Sequence, residues 1–569
     1  MRISLLYLVL LLGMFVARSY AQVFADPETR GVWAPAGYSP SDSAGIDTLV
    51  RNLSSANFNI IYVGVWDGHS TEAGTIYPSS VVKDAGGPMQ YPDYVGRDPL
   101  RTYIDIAHKY GMEVFAWFEL MPFDVSVGST ATDIPTLLKA HTDWSMLQRD
   151  TTTNYHHNIY GYYFGIDPGV PAACNFVVRL YTEIAKNYPD LDGIESDIED
   201  DTLFSYSDIA RARFVRETGN PDPLTLPGND PAWLAWRRRQ ITNVVKRIYN
   251  DVKRVNPECV VSGAVPPPYM SSYMLESWGD WAKRGYVDML EPMLYVNTSD
   301  FDHQMELCED YVPKGFHLSP GIAISSAGSA AKTVYEIQDA INRDAAGVTI
   351  WYYNYLLSYP NALADLKSEA FPEKALPGYD DLIMDNVRIG MFRSTGSWTT
   401  QRGGYDGTYL SARAVKGDTA VFSVRVLRSG NYTLYGYWGG DSSANCSKAT
   451  VRVTMTGLTK SYIVNEGTNT DSWSSLDEFH LDSDDTITVK LFGADGKVLV
   501  ADAFRLRRES PTFLGDCALP DSDMPATKSV SHPPGISFYG STYLLAERGA
   551  RLLDVPLNKP PAGEYYRNK

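Results

Sequence analysis

The chain has 569 residues, of which 44% are hydrophobic and 21% are charged, and its formal net charge is −18. This length exceeds that of one ordinary domain, so the composition indicates a globular protein with more than one core. The acidic balance repels phosphate backbones and anionic lipid surfaces, which argues against nucleic acid as a partner.

The N-terminus carries a pattern typical of export. Arg2 precedes an apolar run that ends in small residues, which predicts a signal peptide over residues 1–21 with cleavage near Gln22. An uncleaved signal anchor is the alternative. No later apolar run reaches about 18 residues, so no membrane span is expected after cleavage. A secreted or periplasmic location follows.

From about residue 28, predicted strands alternate with predicted helices, as in parallel α/β proteins. Eight strands of this kind predict a (β/α)8 TIM barrel over residues 28–370. An open doubly wound sheet is the alternative, but no Gly-rich phosphate loop follows the first strand. The predicted strands are Gly31–Trp33, Asn59–Trp66, 112–120, 191–201, Cys259–Val265, Tyr286–Tyr295, 317–325 and 347–355.

The C-terminal third has a different pattern. Residues 371–384 contain Pro, Gly and Asp and are predicted to be a linker. Short alternating strands without a long helix then predict an antiparallel β-sandwich over residues 385–508. Residues 509–569 are rich in proline and are predicted to be a tail.

The cysteines do not form a recognisable site. They lack the close pairs of a zinc site and the density of a disulfide scaffold, so no metal and no cofactor is expected. At most two disulfides could form, and their pairing stays open. The five positions are Cys174, Cys259, Cys308, Cys446 and Cys517.

The segment LDGIESDIEDD, residues 191–201, is unusually acidic. In a β-strand, Glu195, Asp197 and Glu199 share one face. Three like charges are costly in a packed core, but a strand that ends in a cleft for a polar substrate can carry them. A solvated acidic loop and a calcium site are the alternatives. We interpret the segment as the fourth barrel strand, with Glu195 deepest and Glu199 at the mouth.

A set of ordered motifs over about residues 28–370 resembles the glycosyl hydrolase-like family 10 group of bacterial secreted proteins. The motifs are RGVW, NFNIIYVGVW, AHKYGMEVFAWF, HTDW, IDPGVP, LDGIESD, AWRRRQI and VDMLEPMLY. The resemblance implies a barrel hydrolase that acts on polysaccharide, with bacterial cell-wall glycan among the candidates. The chain departs from the group's pattern at Glu195, Ile198-Glu199, Glu119 and Glu291.

Two shorter resemblances add detail. The fourth strand is similar to the signature of family 18 glycoside hydrolases, to which Asp192-Gly193, Asp197 and Glu199 correspond, and Met293-Leu294-Tyr295 is similar to that family's sixth-strand motif. The later segment resembles the golvesin C-terminal-like or xanthan lyase carbohydrate-binding-like β domain. That resemblance implies a sugar-binding or packing module, in which either stacking on sugars or core packing would explain Trp398, Tyr405 and Trp438.

Glycoside cleavage needs a proton donor for the leaving oxygen and a group that stabilises or attacks the developing cation. We predict that Glu199 is the general acid, because neighbouring negative charge raises a donor's pKa. Asp197 would share its proton or orient a substrate acetamido group, and Tyr295 would hydrogen-bond to the reacting group. Glu291 is the rival second carboxylate, because it lies on the same strand face as Tyr295.

Six further residues near predicted strand ends are candidates for substrate binding, although barrel interiors also use aromatic side chains as filling. The sequence therefore predicts a glycoside hydrolase acting on a polysaccharide or oligosaccharide. A glycan-binding barrel without activity and a calcium-stabilised structural barrel are the alternatives. The candidates are Glu195, Glu119, Trp66, Asp67, Trp351 and Tyr353.

Overall fold

The computed structural model contains a parallel barrel followed by an antiparallel β domain. The predicted signal peptide and nearly all of the predicted tail lie outside the described residues. The structure describes residues 27–68, 72–118, 124–158, 161–197, 205–313, 315–343, 345–387, 391–414, 417–493 and 495–509.

Eight parallel strands form the barrel in the order in which they occur along the chain. The prediction of a TIM barrel is confirmed. The strands are β1 Thr29–Ala34, β2 Ile60–Gly64, β3 Glu113–Phe118, β4 Gly193–Asp197, β5 Val260–Val265, β6 Met289–Pro292, β7 His317–Leu318 with Gly321–Ala323, and β8 Gly347–Trp351.

Strand β7 closes the barrel although it is interrupted in the middle. Its first part pairs with β6 and its second part with β8. The amide of Ser319 donates to the carbonyl of Leu290 at 2.9 Å, and the amide of Thr349 donates to the carbonyl of Pro320 at 3.0 Å. Because Pro320 has no amide hydrogen, the ladder is interrupted there. The sheet still meets itself, so its two edges are paired.

Eight helices cover the barrel. Helix α2 (Pro99–Lys109) begins with two common start signals, the Asp98 side chain accepting from the amide of Arg101 and Pro99 in the first turn. No helix in the described ranges is long and apolar enough to cross a bilayer. The helices are α1 Ser43–Ser55, α2 Pro99–Lys109, α3 Pro171–Asn187, α4 Pro231–Val255, α5 Trp278–Arg284, α6 Thr298–Tyr311, α7 Ala330–Asn342 and α8 Tyr353–Ser358.

Shorter elements lie in the connections between these strands and helices. The helical ones are Ser80–Asp84, Thr136–Ala140, Asp208–Thr218, Pro268–Ser271, Ile324–Ala327 and Ala362–Asp365. The strands are Trp66–Asp67, Gly74–Thr75, Asp124–Gly128, His156–Asn158 and Gly161–Gly165. The four described cysteines are buried and free.

Aromatic rings fill the barrel interior. The ring of Trp33 lies 5.7 Å from that of Tyr62, 6.2 Å from that of Trp117 and 6.0 Å from that of Trp351, measured between centroids. All four side chains are buried. The interior is therefore a packed apolar medium, in which an ionised group is poorly solvated.

The named strands of the β domain all pair antiparallel, so the predicted sandwich is also confirmed. Its sheets have the orders β9-β20-β14-β17, β10-β13-β18-β15-β16 and β11-β12-β19. The strands are β9 Asp381–Asp385, β10 Phe392–Thr395, β11 Thr399–Arg402, β12 Thr408–Arg413, β13 Thr419–Arg425, β14 Gly430–Tyr437, β15 Ala449–Met455, β16 Leu458–Val464, β17 Ser474–Leu481, β18 Thr486–Phe492, β19 Val498–Ala501 and β20 Ala503–Arg508.

The segment predicted as a linker, residues 371–384, is held against the barrel. The amide of Glu28 donates to the carbonyl of Leu376 at 2.9 Å, and the Asn59 side chain donates to the carbonyl of Ala375 at 3.0 Å. The end of the segment already belongs to strand β9, which pairs with β20. The connection is therefore part of both units rather than a free tether.

The β domain docks on the barrel through Arg428, in the turn between β13 and β14. Its guanidinium lies 2.7 Å from the Glu113 carboxylate, 3.3 Å from that of Asp192 and 3.2 Å from that of Asp380. Glu113 and Asp192 stand at the N-terminal ends of β3 and β4. Burial raises the pKa of Glu113 to about 8 despite the nearby Arg428 charge. One buried cation thus holds three acids together at the base of the barrel.

Further contacts surround this ion cluster. Leu427 and Tyr379 pack in the same apolar cluster as the barrel interior. Arg508 Nη2 lies 3.3 Å from the Glu258 carboxylate, and the amide of Ser429 donates to Glu258 at 3.1 Å. The β domain therefore closes the base of the barrel and leaves the C-terminal ends of the strands at the other end.

Replacing Arg428 with alanine should strongly destabilise the protein, because Glu113 would lose its ion-pair partner. The other two acids would each keep one basic neighbour, His108 beside Asp192 and Arg508 3.7 Å from Asp380. Removing one partner of a buried ion pair costs about 3–5 kcal/mol. Chemical denaturation followed by circular dichroism measures the change. The matched control is Arg402→Ala on an exposed part of the β domain, for which a change within about 0.5 kcal/mol is expected. Equal effects of the two substitutions would contradict the docking role.

Candidate active site

Strand β4 places two acids on the inner face of the barrel. Glu195 is fully buried, and Asp197, two residues further along the strand, is half-buried. Ile194 packs instead in the cluster between the sheet and the helices. Successive side chains of this strand therefore point to opposite faces of the sheet, as predicted. The two acids become less buried toward the C-terminal end of the strand. Glu199 lies outside the described residues, as does Glu119.

Glu195 has a second acid beside it. Strand β5 pairs with both β4 and β6, and Ala264 is the partner of Asp197 on one side and of Glu291 on the other. In this register, Asp197, Ala264 and Glu291 lie side by side across the three strands. Glu291 is also fully buried, and it lies close enough to Glu195 for its charge to contribute to the raised pKa of that residue.

Each member of this carboxyl pair also accepts from an aromatic residue. Trp33 Nε1 donates to Glu195 Oε2 at 2.6 Å, and Tyr62 Oη donates to Glu291 Oε1 at 2.8 Å. These donors come from β1 and β2, on the opposite side of the barrel interior from β6. Four strands therefore position the pair.

Burial controls the ionisation of both acids. It raises the pKa of Glu291 to about 8, although the Tyr62 hydrogen bond acts in the opposite direction. Burial also raises the pKa of Glu195 well above its usual range, with further contributions from the charges of Glu291 and Asp197. Two carboxylates in contact do not both ionise in an apolar medium, so the pair retains a proton at neutral pH.

Tyr295, three residues beyond the end of β6, and Trp351, the last residue of β8, pack in the apolar cluster that fills the barrel interior. Both are buried, and their ring centroids lie 6.0 Å apart. The structure thus brings together five of the residues singled out from the sequence, namely Glu195, Asp197, Glu291, Tyr295 and Trp351.

Trp66 and Asp67 lie away from this inner cluster. Trp66 is fully buried between the sheet and the helices, and its Nε1 donates to the carbonyl of Val125 at 2.8 Å. Asp67 is 3% exposed and accepts from the hydroxyl of Tyr94 at 3.3 Å. Both side chains have structural partners, and their contact with substrate stays a prediction.

The aromatic residues that lie near the barrel interior at the end of β8 are only partly the two predicted from the sequence, Trp351 and Tyr353. Tyr353 packs in the outer cluster, and its hydroxyl donates to the carbonyl of Tyr38 at 2.9 Å. Tyr352 and Tyr355 are half-buried and pack on both the inner and the outer cluster, with ring centroids 4.8 Å apart. The sequence analysis extended the strand through Tyr355, whereas the structure ends it at Trp351 and begins a helix. In a helix, residues three apart lie on the same face, so Tyr352 and Tyr355 lie next to each other once the strand has ended.

Comparison with known proteins places the chain in a family. Residues 28–337 match the family model described as glycosyl hydrolase-like 10, and residues 382–508 match the golvesin C-terminal domain. The glycosyl hydrolase DigH of Escherichia coli (strain K12) is 26% identical over 269 residues, which cover 42% of this chain and 56% of that protein. The glycosyl hydrolase YngK of Bacillus subtilis (strain 168) is 26% identical over 224 residues, 35% of this chain and 39% of that protein. The chain thus spans about half the length, or less, of these curated relatives.

Among solved structures, the catalytic domain of β-amylase from Paenibacillus polymyxa covers 61% of this chain and 99% of its own length, at 11% identity and a TM-score of 0.44. A xanthan lyase from Paenibacillus covers 24% of this chain and 14% of its own, at 24% identity and a TM-score of 0.23. The family model spans the barrel from β1 into α7, ending before β8, and includes both acids of β4 and Glu291. The chain belongs to the glycosyl hydrolase-like 10 family.

Proposed function

We propose that the protein is a secreted glycoside hydrolase that cleaves O-glycosidic bonds in a polysaccharide, with bacterial cell-wall glycan and exopolysaccharide as the candidate substrates. The observation that carries the proposal is the graded burial of acids along β4, from Glu195 in the interior to Asp197 toward the C-terminal end. Barrel enzymes place their chemistry at that end. Family membership and the export pattern of residues 1–21 agree with it.

In the proposed reaction, Glu199 donates its proton to the leaving oxygen as the glycosidic bond breaks. Asp197 stabilises the positive charge that develops on the sugar, either directly or by orienting a substrate acetamido group that attacks in its place. A water molecule then completes hydrolysis and returns a proton to Glu199. Tyr295 would hydrogen-bond to the reacting group, and Tyr352 and Tyr355 would line the sugar-binding cleft.

The buried carboxyl pair has a supporting role in this proposal. A nucleophilic carboxylate must be ionised and must reach the sugar, whereas Glu291 is fully buried, raised in pKa and bonded to Tyr62. These features favour Asp197 over Glu291 as the second catalytic carboxylate. The retained proton limits the negative charge beneath Asp197, so that Asp197 can stay ionised while Glu199 is protonated.

Neutral variants of the two proposed catalytic acids should lose hydrolysis. Loss of a general acid typically costs about 100-fold to 10,000-fold in rate, so Glu199→Gln and Asp197→Asn should each lower kcat within this range. Release of new reducing ends from cell-wall and exopolysaccharide glycans measures the effect. The matched control, Glu369→Gln at an exposed position, should keep the original rate.

The rival assignment gives a different pattern. With Glu291 as the nucleophile, Glu291→Gln would be as inactive as Glu199→Gln, and Asp197→Asn would keep most of its activity. Full activity of Glu199→Gln would remove the acid assignment. Binding of the glycans without release of reducing ends by the unmodified protein would favour a non-catalytic barrel.

The carboxyl pair also makes stability depend on pH. The pKa of Glu291 is raised to about 8 in the folded protein. Protonated Glu291 therefore contributes to the free energy of unfolding at low pH. That contribution is lost as pH rises from about 4.5 to 8, and the free energy of unfolding falls by at most about 1.4 kcal/mol per pH unit. Glu291→Gln should flatten this decline and exceed the unmodified protein in stability at pH 8. Urea denaturation at pH 5, 6, 7 and 8 measures both effects.

The control for this measurement is again Glu369→Gln, which should keep the pH dependence of the unmodified protein. If the free energy of unfolding of Glu291→Gln falls with pH as steeply as that of the unmodified protein, the decline does not come from Glu291. That result would contradict the raised pKa of this residue.

A further inference from the structure

A large aromatic side chain is exposed on the C-terminal face of the barrel. Strand β5 ends at Val265, and Tyr269 follows it in the short helix Pro268–Ser271. Tyr269 is 43% exposed, whereas Met270 next to it is 4% exposed. Residues that follow the C-terminal end of a barrel strand lie on the face that carries the chemistry. Tyr269 is therefore on the same face as the proposed catalytic acids.

The position of Tyr269 along the chain keeps it near Asp197. In the sheet, Ala264 of β5 is the partner of Asp197 of β4. Tyr269 comes five residues after Ala264, so the two lie at most about 18 Å apart along the chain. A sugar unit bound beside Tyr269 is thus close to the bond that the proposed acids cleave.

The short helix that carries Tyr269 is anchored at both ends. Three consecutive prolines, Pro266–Pro268, fix the backbone φ angles immediately before the tyrosine. After it, Ser271 Oγ lies 2.7 Å from Tyr311 Oη at the end of α6. A rigid segment therefore presents the ring, and a ligand that rests on it does not have to order the backbone first.

The ring of Tyr269 lies in a concave part of this face. Burial raises the pKa of the Tyr269 hydroxyl although the residue is 43% exposed. Protein therefore surrounds the ring on some sides while another side faces solvent. Ligand sites are usually concave in this way, with apolar or aromatic walls and a few polar groups.

An acidic side chain stands beside the ring. Asp300 is exposed in the first turn of α6, which begins three residues after Tyr295. Its charge contributes to the raised pKa of Tyr269, after burial as the larger cause. Arg238 also contacts this segment, but its guanidinium donates to the carbonyl of Ser272, three residues after Tyr269, at 3.1 Å.

We propose that Tyr269 and Asp300 form a substrate subsite of the barrel cleft, which takes a neutral or amino sugar of the polysaccharide and excludes a uronic acid. The apolar C–H face of a pyranose suits the tyrosine ring, and its hydroxyl, amide or ammonium groups suit the Asp300 carboxylate. A uronic acid would instead place a second negative charge beside Asp300, which costs binding energy. The subsite rests on the proposed function for its polysaccharide ligand, although binding itself needs no hydrolysis.

The test uses the full chain carrying Glu199→Gln, so that a bound oligosaccharide is not cleaved. Isothermal titration calorimetry measures the binding of hexasaccharides of N-acetylglucosamine, of glucosamine and of galacturonic acid. We expect at least one of the first two to bind about tenfold more tightly than the third. Tyr269→Ala should weaken this binding about tenfold through loss of the ring contact, and Tyr269→Phe should retain most of it.

Replacement of the acid tests the charge preference separately. Asp300→Asn should reduce the preference over the galacturonic acid hexasaccharide about fivefold, because the repulsion is removed. Two matched controls should leave all affinities unchanged. They are Tyr335→Ala, at a tyrosine of α7 that is 51% exposed, and Glu369→Gln, at an exposed acid.

Four results would overturn the subsite. They are undiminished binding by Tyr269→Ala, an equal loss in Tyr335→Ala, tighter binding of the galacturonic acid hexasaccharide than of the other two, and no binding of any of the three. With Glu199 intact, Tyr269→Ala should raise KM for a cleaved hexasaccharide about tenfold and keep kcat within about twofold. Binding that depends on Tyr269 without hydrolysis would contradict only the proposed function, and hydrolysis with an unchanged KM would contradict only the subsite.

Discussion

The contact between Glu195 and Glu291 is the constraint around which the barrel interior is arranged. Two acids meet in a space otherwise filled by aromatic rings, where neither can be hydrated. The pair is tolerated because it keeps a proton and because Trp33 and Tyr62 donate to its outer oxygens. Those two rings in turn determine how the neighbouring tryptophans pack, and the pair determines the charge beneath Asp197.

The sequence predicted the fold well because the fold depends on local patterns. Apolar strands recur along residues 28–370, and each of the eight predicted strands has a counterpart in the barrel. The depth of Glu195 followed from side-chain alternation within one strand. Its partnership with Glu291 did not follow, because it depends on the register of three strands that lie far apart in sequence.

Arg428 and the end of β8 were beyond sequence reasoning for different physical reasons. An arginine in a turn between two strands has the pattern of a solvated residue, and only the docking of the domains buries it. Tyr352 and Tyr355 depend on the residue at which a strand becomes a helix, and a run of tyrosines carries no signal for that boundary. Long-range contacts and element ends were thus the parts that the local pattern left undetermined.

The docking of the β domain has a mechanical consequence. Because Leu427 and Arg428 are buried in the base of the barrel, separating the two units would expose an apolar side chain and break the ion pairs of Arg428 at the same time. Force applied to the β domain would therefore load the N-terminal ends of β3 and β4, where Glu113 and Asp192 contact Arg428.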